Sequence, residues 1–521
     1  RHLVWWKKFW SVSEISLDDP VIEQRYYLSK YMLASVSRDP EYPPNILGIS
    51  TFDRPAWNGN YKINYNHQSP YLNLMVSGHF QQSDPHDAPY LKLMEISDEM
   101  CKRLLHHEGL YYPLGLGPHG LVSEALLLHM KSPAIHGALN MIYRYGITED
   151  ETYAQKVYPY LRGVADFWEK DLVCRDGVYH VVGDGMLERT DGNIRDNGVP
   201  EDPVNTLGYL KTFFTWMPRI SEALDLDEKK REKWLEIAEN LAPYPKGTIR
   251  EIQENPTLWK EVDVKLEDLL PEEMLDKEIY YDEGIGGKWS FHFPGNVMQI
   301  YPGNAIGLGS EPEELEVARN TVQIHALVEN ALGELEYKKA LEEAEGVKNP
   351  HFYKAGAFNA SNLSCLFFTA AVRVGYDPEI IWKEMRDMIL NRGIPNGFLK
   401  ENPHGIEQLN TIPDAIQEMM LQSCEGVIRI FPVWPSAEHP NASFRNFRAW
   451  GGFEVSAVLK DGEVERVTIL SHKGHPCRVK NPWPGKSVKV SYEYGRPDEV
   501  HFGEYLNIEL YKEEHAELFR I

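Results

Sequence analysis

The sequence predicts a mainly α chain, a ring of paired amphipathic helices through about residue 429 followed by a small all-β domain over 430–521. Three observations carry this. Apolar residues recur at helical spacing in segment after segment up to Glu425. No heptad runs through them, so they suit alternating inner and outer helices, an α/α toroid, better than a coiled coil. At Gly426 the pattern switches to strand alternation in Val427-Ile-Arg-Ile-Phe, Phe453-Glu-Val-Ser-Ala-Val-Leu, Glu465-Arg-Val-Thr-Ile-Leu and Ser487-Val-Lys-Val-Ser-Tyr, with Lys460-Asp-Gly as a turn.

Residues 1–40 read as a linker rich in Trp5, Trp6, Phe9 and Trp10, feeding a first helix that is capped by Asp18-Asp19 ahead of Pro20. A helix is expected to start at Asp84-Pro85-His86 and to run through Leu105. Two more occupy 132–170, and others run from Glu201 through Leu224 and over 227–241. Residues 251–288 are acidic and irregular, ending in Tyr280-Tyr-Asp-Glu-Gly-Ile-Gly-Gly, a loop suited to the edge of a pocket. Helices return over 312–344, 357–374, 378–390 and 412–425.

A chain of 521 residues exceeds one compact core, which favours two domains, 1–429 and 430–521. Asp and Glu total 78 against 54 Lys and Arg, a net charge of -24. Such a surface repels phosphate backbones and anionic membranes, so neither nucleic acid nor a membrane is an expected partner. Aromatics reach 12%, including 13 Trp, which fits a carbohydrate binder. The five cysteines are scattered without a Cys-x-x-Cys, arguing against a disulfide scaffold and a zinc knuckle. Gly115-Leu-Gly-Pro-His-Gly satisfies G-x-G-x-x-G, yet Pro118 sits in the turn and no βαβ pattern surrounds it, so it reads as a rim turn. His106, His107, Glu108 and His119 lack ligand spacing and read as surface or pocket histidines. The start at Arg1-His-Leu-Val-Trp-Trp reads like the interior of a longer protein, and its lack of an export signal is uninformative. The sequons at Asn359, Asn362 and Asn441 do not settle the host.

The segment from Trp57 to Tyr71 concentrates Asn58, Asn60, Asn64, Asn66, Gln68 and four aromatics. Neutral amides offer paired donors and acceptors to hydroxyls, and rings offer a platform to the C–H face of a pyranose. If Tyr61 to Asn66 is extended, Asn64 and Asn66 share a face and can fix one water. An Asn-rich surface loop is the alternative.

Trp-Asn-Gly-Asn-Tyr, Asn-Tyr-Asn and Gln-Ser-Pro-Tyr together resemble the opening of the catalytic domain of glycoside hydrolase family 95, a family of inverting α-L-fucosidases and α-L-galactosidases. Three later runs extend the resemblance. Gly405-Ile-Glu-Gln-Leu-Asn through Glu418-Met-Met-Leu-Gln-Ser is similar to the family's Gln-Ile-Asp-Gly-Asn-Phe-Gly to Glu-Met-Leu-Leu-Gln-Ser. His292-Phe-Pro-Gly-Asn-Val-Met-Gln-Ile-Tyr-Pro-Gly is similar to a histidine-rich run, although most of its histidines are absent here. Phe447-Arg-Ala-Trp-Gly-Gly-Phe-Glu-Val is similar to Arg-Ala-Arg-Gly-Gly-Phe-Glu-Val. The resemblance implies an (α/α)6 toroid with a C-terminal β-sandwich, an oligo- or polysaccharide substrate, and an extracellular or periplasmic site of action.

Inverting glycosidases set a protonated acid opposite a base with its water. Glu188 lies in a glycine-flexed loop between Met, Leu and Arg, where partial desolvation would suit an acid; Asp184 and Asp191 are rivals. The family's acid falls at an equivalent point, a match of position and not of motif. Glu407 stands where the family has its base-side aspartate, one methylene longer. Asn64 and Asn66 match the paired asparagines that orient water. Trp57, Asn58, Asn60, Tyr61, His67, His292, Asn296 and Asn410 are expected to line the sugar site. No metal or organic cofactor is called for, since two carboxyls suffice. Two rivals stand beside this: a glycoside phosphorylase, and a carbohydrate-binding protein that kept the pocket and lost the chemistry.

Overall fold

A computed structural model of the chain describes residues 1–48, 53, 55–121, 126, 129–185, 201–254, 265–281, 295–343, 358, 364–400 and 405–521. Glu188, Asp191, His292, Asn359 and Asn362 lie outside the described residues.

Helices dominate up to Met420 and strands follow from Leu421. The expected linker is folded: helix His2–Trp10, strand Glu14–Leu17 and helix Pro20–Val36. Asp19 caps the last of these, its Oδ1 accepting from Val21 N at 3.0 Å, with Pro20 preset for the first turn. Its Oδ2 accepts from Trp382 Nε1 and Arg386 Nη1 on the helix Pro378–Asp387. Asp18, next in line, takes His439 Nδ1 and Asn441 N. Two consecutive carboxylates thus tie the first helices to both later layers.

The helices Pro133–Thr148 and Glu151–Asp171 form as the periodicity predicts, as do Val204–Ala223, Glu228–Glu239 and Pro312–Glu343. Two expectations are corrected. The single helix over 84–105 is two, Phe80–Lys92 and Met94–Leu105. Pro85 and Pro89 each delete a backbone donor in the first, and the chain turns at Leu93, whose side chain is buried in the core. The helix expected over 412–425 runs Gln408–Met420, with Pro413 inside it. It therefore begins immediately after Glu407. Among the described residues, no helix is long and apolar enough to cross a membrane.

A seven-stranded antiparallel sheet has the spatial order Glu14–Leu17, Ala442–Ala449, Phe453–Lys460, Glu463–Ser471, Glu514–Arg520, Val488–Tyr492, Glu499–His501. Along Phe453–Lys460 the residues Phe453, Val455, Ala457 and Leu459 are buried in turn. Because one face is buried, a one-residue slip would expose it, and the register Val455 to Ile469 and Ala457 to Val467 is fixed. Cys477–Lys480 and Tyr505–Ile508 form a separate pair.

Trp450, at the end of a sheet strand, joins sheet to helices. Its ring lies edge-on to Tyr143 and 4.8 Å from Trp216, directly over Gly146. A methyl at Gly146 would overlap that ring. Gly146→Ala is expected to lower stability in urea denaturation by about 1–3 kcal/mol through overpacking, despite alanine's better helix propensity.

Candidate active site

The asparagine-rich segment is built around a short strand and a turn. Tyr61–Lys62 pairs with Gly115–Leu116, so the glycine run at 115–120 supplies this segment's strand partner. Extension ends there. His67 N bonds to Lys62 O, Ser69 N to Tyr65 O, and the Gln68 amide donates to Ile63 O at 2.5 Å. Tyr61 to Asn66 is therefore not a continuous strand. Gln68 supplies a side-chain donor that closes a turn over Ile63–Gln68, and the helix Ser69–Val76 begins at once with Pro70 in its first turn.

That turn buries both asparagines, Asn64 at 2% and Asn66 at 6% exposure. Asn60, Tyr61 and His67 are buried beside them. Trp57 and Asn58 sit on the preceding exposed turn with φ of 50° and 56°, the left-handed region that asparagine tolerates and tryptophan seldom adopts. Asn66, Tyr61, His67 and Tyr71 line a narrow crevice together with Ile406.

Ile406 brings in the second segment. Its N–H donates to Ile46 O, and Ile46 N donates to Asn60 O, fastening residue 406 behind the asparagine turn. Glu407 follows, 1% exposed, at the positive end of the helix Gln408–Met420, where a carboxylate is favoured. The buried Cys365 lies close enough to both Ser69 and Glu407 for its thiol to be influenced by each, so the two segments share one neighbourhood. Asn410, one turn further, accepts from Asn73 N and Nδ2 on the helix Ser69–Val76.

His136 completes this wall. Its Nδ1 donates to Asn64 O at 2.8 Å and its ring stacks 5.0 Å from Tyr209. Burial pushes His136 and His67 each down to about 3, so both rings stay neutral. The His67 ring bonds through Nε2 to His86 O and stacks on His86. His136, Asn73 and Lys30 escape a reading for sugar-lining clusters. Their one signal is a polar side chain on an otherwise apolar helical stripe, and most such residues are core satisfiers.

Asp184 is fully engaged: Oδ1 accepts from Lys131 N and Ser132 N, Oδ2 from Thr206 Oγ1 at 2.6 Å. Burial pushes it up to about 6, while Thr206 and the Lys131 N–H hold it down. It binds the start of the helix Pro133–Thr148, which accounts for its position. Asn296 is buried in the short turn Gly295–Val297, and its Nδ2 donates to Tyr280 O at 3.4 Å.

The far half of the Gln408–Met420 helix carries a buried ionic network. Asp414 accepts from Thr369 Oγ1 at 2.8 Å, and burial, with Glu418 adding, pushes it up to about 7. Arg373 grips Glu418 through two contacts, Nη2 to Oε1 at 2.8 Å and Nε to Oε2 at 2.5 Å. Burial still holds Glu418 above the usual carboxylate range.

Among the described residues, His180, Glu201 and Asp202 place ligating atoms within 4.8 Å of one another. Yet His180 Nδ1 is bonded to Asp202, and Arg175 holds both oxygens of Glu201, so the cluster is internally paired. His107 likewise pairs with Asp171.

The family model described as the glycosyl hydrolase family 95 catalytic domain matches residues 7–338. No curated protein matches. Among solved structures, a putative kojibiose phosphorylase from human microbiome aligns over 96% of this chain and 68% of its own, at 12% identity and a TM-score of 0.49. The α-L-rhamnosidase from Dictyoglumus thermophilum aligns over 98% and 50%, at 11% identity and 0.45. The GH78 family rhamnosidase of Bacillus sp. GL1 aligns over 86% and 40%, at 11% identity and 0.44. The chain thus spans half or less of the length of these rhamnosidases.

Arg373→Met is expected to cost about 3–5 kcal/mol at pH 8, since it leaves Glu418 buried without its counter-charge. The native state would then hold a proton that the unfolded chain releases, so stability falls as pH rises through that window. Urea denaturation should therefore show a smaller loss at pH 5 than at pH 8.

Proposed function

The chain belongs to glycosyl hydrolase family 95 by its catalytic domain, which matches residues 7–338, and from that premise we propose that it is an exo-acting hydrolase removing a terminal sugar with inversion. The sugar is of the α-L-fucoside or α-L-galactoside type, carried on an oligo- or polysaccharide. The helices close into an (α/α)6 ring over 1–429, and a β-sandwich follows over 430–521. Glu407 is the base, Asn64 and Asn66 orient its water, and Glu188 is the acid.

One observation carries this reading. A buried carboxyl at the head of a buried helix directly follows Ile406, which backbone hydrogen bonds through Ile46 and Asn60 fasten behind a buried turn of neutral amides. A carboxylate of ordinary strength is a weak base for water, and amides that fix the water's lone pair and protons supply part of what it lacks. Neutral His67 and His136 extend the same character, offering hydrogen bonds to hydroxyls without adding charge.

Turnover of aryl glycosides, including the α-L-fucoside and the α-L-galactoside, with NMR following the anomer first released, tests the proposal. Cleavage with inversion is expected, and Glu188→Gln and Glu407→Gln should each lower kcat by about 10²–10⁴-fold. Retention would remove the water-orienting role of Asn64 and Asn66. Cleavage only in the presence of phosphate would replace the hydrolase with a phosphorylase.

A further inference from the structure

Lys30 lies on the helix Pro20–Val36, 2% exposed, in the interior where a lysine is rarely left. Its Nζ donates to Asn73 Oδ1 at 3.0 Å and to Ser77 Oγ at 2.7 Å, with the Tyr26 ring 5.2 Å away and the Asp414 charge in range. The polarity of these contacts can be followed atom by atom. His79 Nε2 faces Phe9 O, a pure acceptor, so its Nδ1 is an acceptor too, and the one Ser77 hydroxyl hydrogen is shared between that nitrogen at 2.9 Å and Asn73 O at 2.8 Å. Ser77 Oγ must then accept from Lys30.

Asn73 is held at both ends. Its Oδ1 faces the lysine, and its Nδ2 donates to Pro70 O at 3.0 Å and to Asn410 Oδ1 at 2.8 Å, while Asn73 N adds a second bond to that oxygen at 3.1 Å. Two donors on one side require that Asn410 turn its oxygen towards Asn73. The other end of the Asn410 amide, Nδ2, is fully buried and has no protein partner among the described residues. A buried amide donor without a partner is costly unless a ligand or water takes it.

We propose that Lys30 is a positioning residue which, through Asn73, holds the Asn410 amide so that Nδ2 stands one helical turn from Glu407 as a donor to an oxygen of the bound sugar. This rests on the hydrolase reading for the identity of the ligand. The amide relay itself does not. Lys30 touches no reacting atom, and its effect passes only through the two asparagines.

The test is a double-mutant cycle on a substrate that the wild-type protein turns over, combined with the crystal structure of Lys30→Met. Lys30→Met and Asn410→Ala should each lower kcat/KM about ten- to a hundredfold, and the double variant should be no worse than Asn410→Ala alone. Losses that multiply would assign Lys30 a general structural role and overturn the proposal. In the Lys30→Met crystal the Asn410 amide should leave its place; an unchanged Asn73–Asn410 contact overturns it too, with no substrate needed. Asn73→Asp provides the second variant, because the aspartate side chain still satisfies Lys30 but turns an acceptor towards Asn410 Oδ1, leaving only the backbone N–H of residue 73 to hold that oxygen. It should reproduce the Asn410→Ala loss, and full activity there would sink the relay. Silence of the wild-type protein across the aryl glycosides would instead count against the hydrolase reading, leaving the crystal to decide the relay.

Discussion

Every residue of the Gln408–Met420 helix is buried, and this constraint shapes everything packed around it. A buried helix with a polar face must find partners for each amide and carboxylate, because an unpaired group in a low-dielectric interior is costly. The partners come from every side: Asn73 for Asn410, Thr369 for Asp414, Tyr26 for Gln417, Arg373 for Glu418. The neighbouring helices Pro20–Val36, Ser69–Val76 and Ser364–Arg373 are thereby registered against it, not merely packed. Where such a helix leaves a donor unused, as at Asn410 Nδ2, the omission draws attention to what else can enter.

The same economy explains the electrical character of the site. The chain as a whole carries a net charge of -24, but the wall around the asparagine turn is made of amides, tyrosines and two neutral imidazoles. Such a wall gives and accepts hydrogen bonds in equal measure. It suits an uncharged, hydroxyl-rich ligand and sets the carboxyl of Glu407 near neutral groups.

Much of the fold was legible in the sequence because it rests on local periodicity. The helix pairs over 133–171, the strand alternation after Gly426 and the cap at Asp19 all follow from residues a few positions apart. The candidate site was legible in composition, since amides crowd Trp57 to Tyr71, but not in geometry. Alternation suggested a strand through Asn66, whereas the Gln68 side chain closes a turn instead. The periodicity suggested a helix over 412–425, whereas the helix begins at Gln408 and so places Glu407 at its head. Asn73 and Asn410 are 337 residues apart, and nothing in either local sequence says that they meet.

The adjacent carboxylates Asp18 and Asp19 have a consequence for how the chain reaches its native state. Asp19 closes on Trp382 and Arg386 across 363 and 367 residues, and Asp18 on His439 and Asn441 across 421 and 423. Strand Glu14–Leu17 meanwhile waits for its neighbour Ala442–Ala449. Contacts so distant in sequence pay their loop-closure entropy late and slow folding. During synthesis the first forty residues leave the ribosome long before their partners exist. They remain an unlatched aromatic segment, with apolar surface open to non-native association, until the sheet strands that cover it are made.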